Sequence, residues 1–446
     1  MSFLSKAAAG LLALAIAPLA SAQPMSLQQA VAEALERNPA AASAAARQRA
    51  ARAQRQEARA AWLPRIDATH SVVRSDNPVF VFGSLLEQGR FGPQNFDPAF
   101  LNDPEPLTNS RLGLNVRFTI FDQLRRLGAN RRAANAVDSA AAGAGETRQR
   151  IRAEVIARYY AVVVAGQRRV VAGESVRAAE ADAKRIRDRF EQGLLVESDW
   201  LSAEVQLSGF RLRAIEADGE EATARAALAI AVGSPAPAVA IAAEALPERA
   251  FPDVPIDAAL ARAEVQRAEL EMARSAVEDA RVASRTARGS LLPRVDSYAS
   301  WGASGRGLND ASSDRTAGLT VSLDLFDGGK YARVAAAAAA TAAARSEAAM
   351  VRDRVRMEVI SAWHRARAAR ERVTVAEKAV QQGTAAARII RDRYEQGLTT
   401  ITEHLRAQSA LAGTRFDLIE ARYASIAGHA ELLRATGDLH DVAIFE

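Results

Sequence analysis

The chain has 446 residues, with 58 Lys and Arg against 53 Asp and Glu, and it contains no cysteine. A hydrophobic fraction of 49% with 25% charge argues against a disordered chain and against a bundle of membrane-spanning helices. The missing cysteines exclude thiol catalysis, disulfides and thiolate metal centres. The arginines lie scattered among glutamates, as in RIRAEVIARYY at 150–160, so no basic block marks a nucleic-acid partner.

In chain order, Lys6, the apolar run Ala7 to Ala20 and the small residues Ala20-Ser21-Ala22 give residues 1–22 the pattern of an export signal. A first repeat is expected over 23–232. It opens with a helix that ends at LPRIDA (63–68), and a strand follows at about 65–75. A long loop is expected at about 76–109. The next segment alternates Leu112, Leu114, Val116, Phe118 and Ile120 with Arg111, Gly113, Asn115, Arg117 and Thr119, which is the period of a strand with one apolar face. After Phe121-Asp122 an apolar stripe runs from Ile151 to Phe190 at helical spacing, and it ends at RDRFEQGLLVESDWL (187–201).

The proline-rich stretch 233–256 reads as a linker. A second repeat is expected over 257–437, with a tail at 438–446. It repeats the plan: LPRVDS at 292–297, strands within about 294–326, Phe326-Asp327, and RDRYEQGLTTITEHL at 391–405, which lies 204 positions after its first copy. Ala317, Leu319, Val321, Leu323 and Leu325 alternate with Gly318, Thr320, Ser322 and Asp324. Thirteen apolar or small positions from Val351 to Tyr394 keep a mean spacing near the 3.6 residues of a straight helix. Each long helix is expected to run roughly 60–65 residues, on the order of 90–100 Å.

Chemistry is sparse. The five histidines form no metal-ligand spacing. GASGRG at 302–307 follows a strand but leads into no apolar-faced helix, so it reads as a hairpin loop rather than a phosphate cradle. No enzyme activity, metal or cofactor is expected. The strands pose a closure problem, because an apolar-faced sheet in lipid must have no open edge, and four strands are too few for a barrel. Either several chains share one barrel, or the strands form a small β head on an exported helical stalk or adhesin.

Duplicated halves, Leu-Pro before strands, Phe-Asp before long helices, and R-F/Y-x-x-G-L at the turns make the chain resemble the TolC-like outer-membrane efflux and secretion ducts over its mature length. The resemblance implies an α+β membrane protein: a long antiparallel α-helical barrel joined to a shared transmembrane β-barrel, four strands per chain and twelve in a homotrimer. It implies a passive conduit in the outer membrane of a Gram-negative bacterium, with its tube in the periplasm. The partners implied are a periplasmic adaptor (membrane fusion) protein, an inner-membrane pump and outer-membrane lipid.

By the same resemblance Arg189, Phe190, Gly193, Leu194, Arg393, Tyr394, Gly397 and Leu398 form the docking tips, and Glu403, Arg406 and Asp199 the gate. Asn115, Arg117, Thr320 and Asp324 are expected to line the lumen, and Leu112, Leu114, Val116, Leu319, Val321 and Leu323 to face lipid. Arg406 stands where a second gate acid is usual, which weakens the expectation of cation selectivity. His404 is expected to be an exposed histidine without a role.

Overall fold

The computed structural model describes residues 24–235, 239–243, 245–247, 251–307 and 309–445, so the expected export signal lies outside the described residues. Two helices precede the first strand in each half, where the sequence suggests one. They are α1 (Leu27–Arg37) and α2 (Pro39–Ala60) in repeat 1, and α7 (Ile256–Gln266) and α8 (Ala268–Gly289) in repeat 2. Each pair measures 11 and 22 residues. The Ser26 hydroxyl caps α1, and Asn38 caps α2, with Pro39 in the first turn. At the same joint Asn38 donates to the Ala231 carbonyl at 2.9 Å, and Arg267 of repeat 2 donates to Ala435 at 2.9 Å.

The Leu-Pro motifs end these helices. Proline lacks an N–H and biases the residue before it toward extended geometry, so Pro64 and Pro293 stand directly before β1 (Arg65–Ser75) and β3 (Arg294–Gly305). The partner strands are β2 (Leu107–Phe121) and β4 (Ser312–Ser322), and the sheet runs β1-β2-β3-β4, antiparallel throughout. The long connection expected between β1 and β2 holds two α-helices, α3 (Pro78–Glu87) and α4 (Pro98–Asn102), with a short 3-10 turn at Pro93–Phe96 between them. Beyond the sheet, the Phe-Asp motifs start the long helices. Asp122 accepts the Arg126 backbone N–H at 2.7 Å, and Asp327 accepts that of Gly329 at 2.8 Å.

Helix α5 (Arg125–Glu191) has 67 residues and α9 (Gly328–Glu395) has 68, both on the order of 100 Å. Each turns back into a 36-residue helix, α6 (Glu197–Val232) or α10 (Ile401–Thr436). None of the thirteen stripe positions of α9 is exposed, and Val355, Val359, Ala362 and Ala366 are buried. The largest core forms where α1, the segment after α6 and the residues after α10 wrap the middle of α5 around Tyr159, Tyr160, Leu228 and Ile426. His429 lies in this waist, stacked on Phe251 at 4.3 Å. Burial, and then the nearby Arg370 cation, push its imidazole down to about 4.

Candidate functional site

The sheet sorts its side chains onto two faces. Register pairs Val116 with Ile66 and Ala299, Leu114 with Ala68 and Trp301, and Val321 with Val295. Leu112, Leu114, Val116, Leu319 and Val321 therefore share one face with Ile66, Val72 and Trp301. Leu319 is 70% exposed and Ile66 is 62% exposed, since nothing among the described residues covers that face. The other face carries Arg65, Asp67, Asn115, Arg117, Asp296, Tyr298, Ser300, Thr316 and Thr320. At its base opens a cavity of about 880 Å³, lined by Arg65, Arg117, Arg125, Arg126 and Arg294 against the carboxylates of Asp122 and Asp296. The cavity is therefore net cationic.

Leu323 and Asp324 lie outside the strand, contrary to the expected alternation. The ladder ends at Arg294–Ser322 because β3 begins there, and the next residue, Pro293, has no N–H to offer residue 323. Asp324 instead grips the buried Lys330 ammonium at 2.5 Å, and Lys330 also donates to the Ser290 carbonyl at 2.7 Å. The pair fastens the base of the sheet to α9.

At the far end, the two copies of the repeated motif form one turn twice. Gly193 and Gly397 take φ of 75° and 74°, a left-handed geometry that glycine adopts without a Cβ penalty. The Gly193 and Leu194 N–H groups donate to Phe190 and Arg189 carbonyls at 2.8 and 2.9 Å, and Gly397 and Leu398 donate to Tyr394 and Arg393 at 3.0 and 2.8 Å. The motif's spacing is thus the hydrogen-bond pattern of a Schellman cap. Leu194, Val196 and Leu398 project exposed from the turns.

Behind the turns, Phe190 stacks on Trp200 at 5.7 Å and Tyr394 on His404 at 5.2 Å. The Arg189 guanidinium sits 5.7 Å from the Tyr394 ring centre, tying the two tips together. His404 is buried, which corrects the expectation of an exposed histidine. Its Nε2 lies 3.1 Å from Asp182 of α5, and Gln408 and Arg185 hydrogen-bond to the same carboxylate. Burial alone would raise the Asp182 carboxyl, but bonds from His404, Gln408 and Arg185 outweigh it and hold the group below the usual carboxylate range. Glu403 faces solvent one turn into α10 and pairs with Arg406 at 3.0 Å. Asp199 lies in the first turn of α6.

The sequence matches the family model described as outer membrane efflux protein over residues 30–234 and 259–438. The chain belongs to the outer membrane efflux protein family. It is accordingly an outer-membrane efflux channel, and the stalk alternative falls away. This efflux protein is similar in structure to the CmeC outer membrane channel of Campylobacter jejuni (TM-score 0.81, 17% identity, 94% of this chain and 86% of that one). It is similar also to the outer membrane protein VceC of Vibrio cholerae (0.78, 20%, 92% and 96%). A third likeness is the open state of the MtrE outer membrane channel of Neisseria gonorrhoeae (0.76, 17%, 93% and 89%). No curated protein sequence matches the chain.

In the efflux protein the sequence reading missed Asp182 and Gln408, because the first stands 222 residues from its partner His404 and on a different hairpin. It also missed Ile66 and Val72, whose strand alternates less regularly than β2. The aromatic pairs were within reach, since Trp200 and His404 occupy equivalent places in the two copies of the repeat.

Proposed function

We propose that three copies of this chain close one twelve-stranded barrel and one helical tube, forming the passive outer-membrane conduit of a tripartite efflux pump or a type I secretion system. The observation that carries this reading is a four-stranded sheet with an uncovered apolar face and two unpaired edges, β1 and β4. Backbone groups on those edges need partners inside a bilayer, and copies of the same chain supply them. Leu112, Leu114, Val116, Leu319 and Val321 then meet lipid, while Asn115, Arg117 and Thr320 line the lumen. The alanines from 335 to 340 of α9, mostly exposed in the single protomer, allow a neighbouring helix to approach closely.

The tips bearing Arg189, Phe190, Gly193, Leu194, Arg393, Tyr394, Gly397 and Leu398 dock a periplasmic adaptor, which links the duct to an inner-membrane pump. The exposed leucines supply the apolar contact, and the groove of about 470 Å³ between α6 and α10 receives the partner. Glu403, Arg406 and Asp199 ring the inner constriction. The test is planar-bilayer conductance of the purified mature protein, wild type against Glu403→Ala. Discrete long-lived openings support the duct, and an altered ion selectivity supports the gate. Openings unchanged by the substitution remove Glu403 from the constriction. A protein that stays water-soluble and never inserts removes the shared barrel.

A further inference from the structure

The connection between β1 and β2 contains an unusual helix. Ten residues of α3, PVFVFGSLLE, hold one carboxylate and no other charge. The C-terminal end of α3 is fixed to the polar face of the sheet. Glu87 Oε2 accepts from Asn109 Nδ2 at 3.1 Å and Ser304 Oγ at 3.3 Å, and it lies 3.5 Å from Arg111, which also pairs with Asp314 at 2.8 Å. Gln88 Nε2 donates to the Thr108 carbonyl and Asn109 Oδ1, both at 3.0 Å. Asn109, Arg111, Ser304 and Asp314 all belong to the polar face, and Ser304 has no exposed area.

The helix presents two opposite faces. At about 100° per residue, Val81, Ser84 and Leu85 fall on one side and Val79, Phe82 and Leu86 on the other. The first set is buried, whereas Val79 and Leu86 are 82% and 52% exposed, and Phe82, at 36%, is partly covered by Phe91 of its own chain at 4.9 Å. In a barrel whose apolar face meets lipid, the polar face is the interior, so α3 lies inside the mouth. Its exposed side then points away from its own strands, toward the barrel axis. An apolar face led by Val79 and Leu86, with the free side of Phe82 between them, is an anomaly in the water of a duct unless something covers it. Rotational symmetry supplies the cover, because each copy brings the same three residues to the same axis.

We propose that α3 is an inward-folded plug, and that Val79, Phe82 and Leu86 of each copy pack against those of the other copies to close the outer end of the duct. This inference rests on the shared barrel proposed above. An apolar constriction of this kind blocks water and ions by dewetting while leaving the ion-paired wall intact. The polar anchors of the helix are confined to Glu87 and Gln88, and the buried Val81 and Leu85 hold the rest of it in place.

The native chain has no cysteine, which makes the test direct. Val79→Cys, Phe82→Cys and Leu86→Cys, all at exposed positions, are oxidised in outer-membrane vesicles beside Ser84→Cys, which lies on the buried side of the helix. Disulfide formation requires Cβ atoms within roughly 4.5 Å. The expected result is a linked pair of chains from at least one of the three, and none from Ser84→Cys. A heat-modifiable oligomer that links at none of the three overturns the plug while keeping the barrel. Equal linking at Ser84→Cys also overturns it, since the helix would then not hold its face toward the axis. A protein that forms no oligomer removes the shared barrel, and the plug falls with it.

Discussion

At the tip of repeat 1 a phenylalanine rests on Trp200, and at the tip of repeat 2 a tyrosine rests on His404, 204 positions later. The turn in front of each pair is the same to within 0.2 Å in its hydrogen bonds. The buried indole N–H of Trp200 meets no acceptor among the described residues, so the Trp200 ring is held by packing rather than by a hydrogen bond. His404 instead ties its hairpin to Asp182 on the other one. The same turn is thus backed in one copy by an apolar stack and in the other by a ring that hydrogen-bonds across to the first hairpin.

The largest effect is expected from breaking the brace. Asp182→Ala leaves His404, Gln408 and Arg185 without the carboxylate they share and should cost about 3 kcal/mol of local stability. Hydrogen exchange should then rise around 394–408, with residues 197–210 of the other hairpin affected less. Acid offers the same contrast. The Asp182 carboxyl titrates lower in the folded than in the unfolded chain, so its contribution is present above the ordinary carboxylate range. That contribution is lost as pH falls through the depressed folded value. Exchange measured on a downward pH series should show tip 2 loosening before tip 1; simultaneous loosening would remove the distinction.

His429 in the waist sharpens the same experiment by titrating earlier. An unfolded histidine protonates near 6.5 and this one at about 4, so stability is complete above pH 6.5 and drains as pH falls toward 4, on the order of 3 kcal/mol. His429→Leu should flatten the thermal midpoint over that window without touching either tip. Smaller and equal effects are expected from Gly193→Ala and Gly397→Ala. No neighbouring atom lies within 4 Å of the added methyl group, so each pays only for the left-handed backbone, about 1 kcal/mol. Unequal costs by thermal melting would show that the turns are not equivalent. Least of all, Arg406→Ala should change stability by under about 1 kcal/mol, because its pair with Glu403 is exposed. Its effect should be read instead as a shift toward cations in bilayer recordings.

How much of this was legible beforehand follows from the range of each interaction. Alternation along β2 and the helical stripe of α9 are written in neighbouring residues, and both survive into the structure. The repeated R-F/Y-x-x-G-L was visible as well, though only the hydrogen bonds explain why the glycine and leucine stand where they do. Leu323 and Asp324 continued a regular alternation, yet strand length depends on a partner, and the partner starts at Arg294. The burial of His404 depends on a carboxylate from another hairpin, which no local pattern reports. Helix α3 was hidden for a further reason: its ten residues are apolar on nearly every side, so no polar face marks a period.

The matched lengths of α5 and α9 set a constraint of a different kind. Both helices leave the same sheet and must deliver their turns to the same plane, and they differ by one residue in nearly seventy. An inserted residue in one alone would raise its tip by about 1.5 Å and swing every later side chain through about 100°. The partner helix would be left behind, and Arg189 would no longer reach the ring of Tyr394. Substitutions are cheap along these rods provided that size and period persist, as 17–20% identity to channels of the same shape illustrates. Length is not cheap. The pair behaves as two rulers cut from one stock, free to change their markings but not to be lengthened separately.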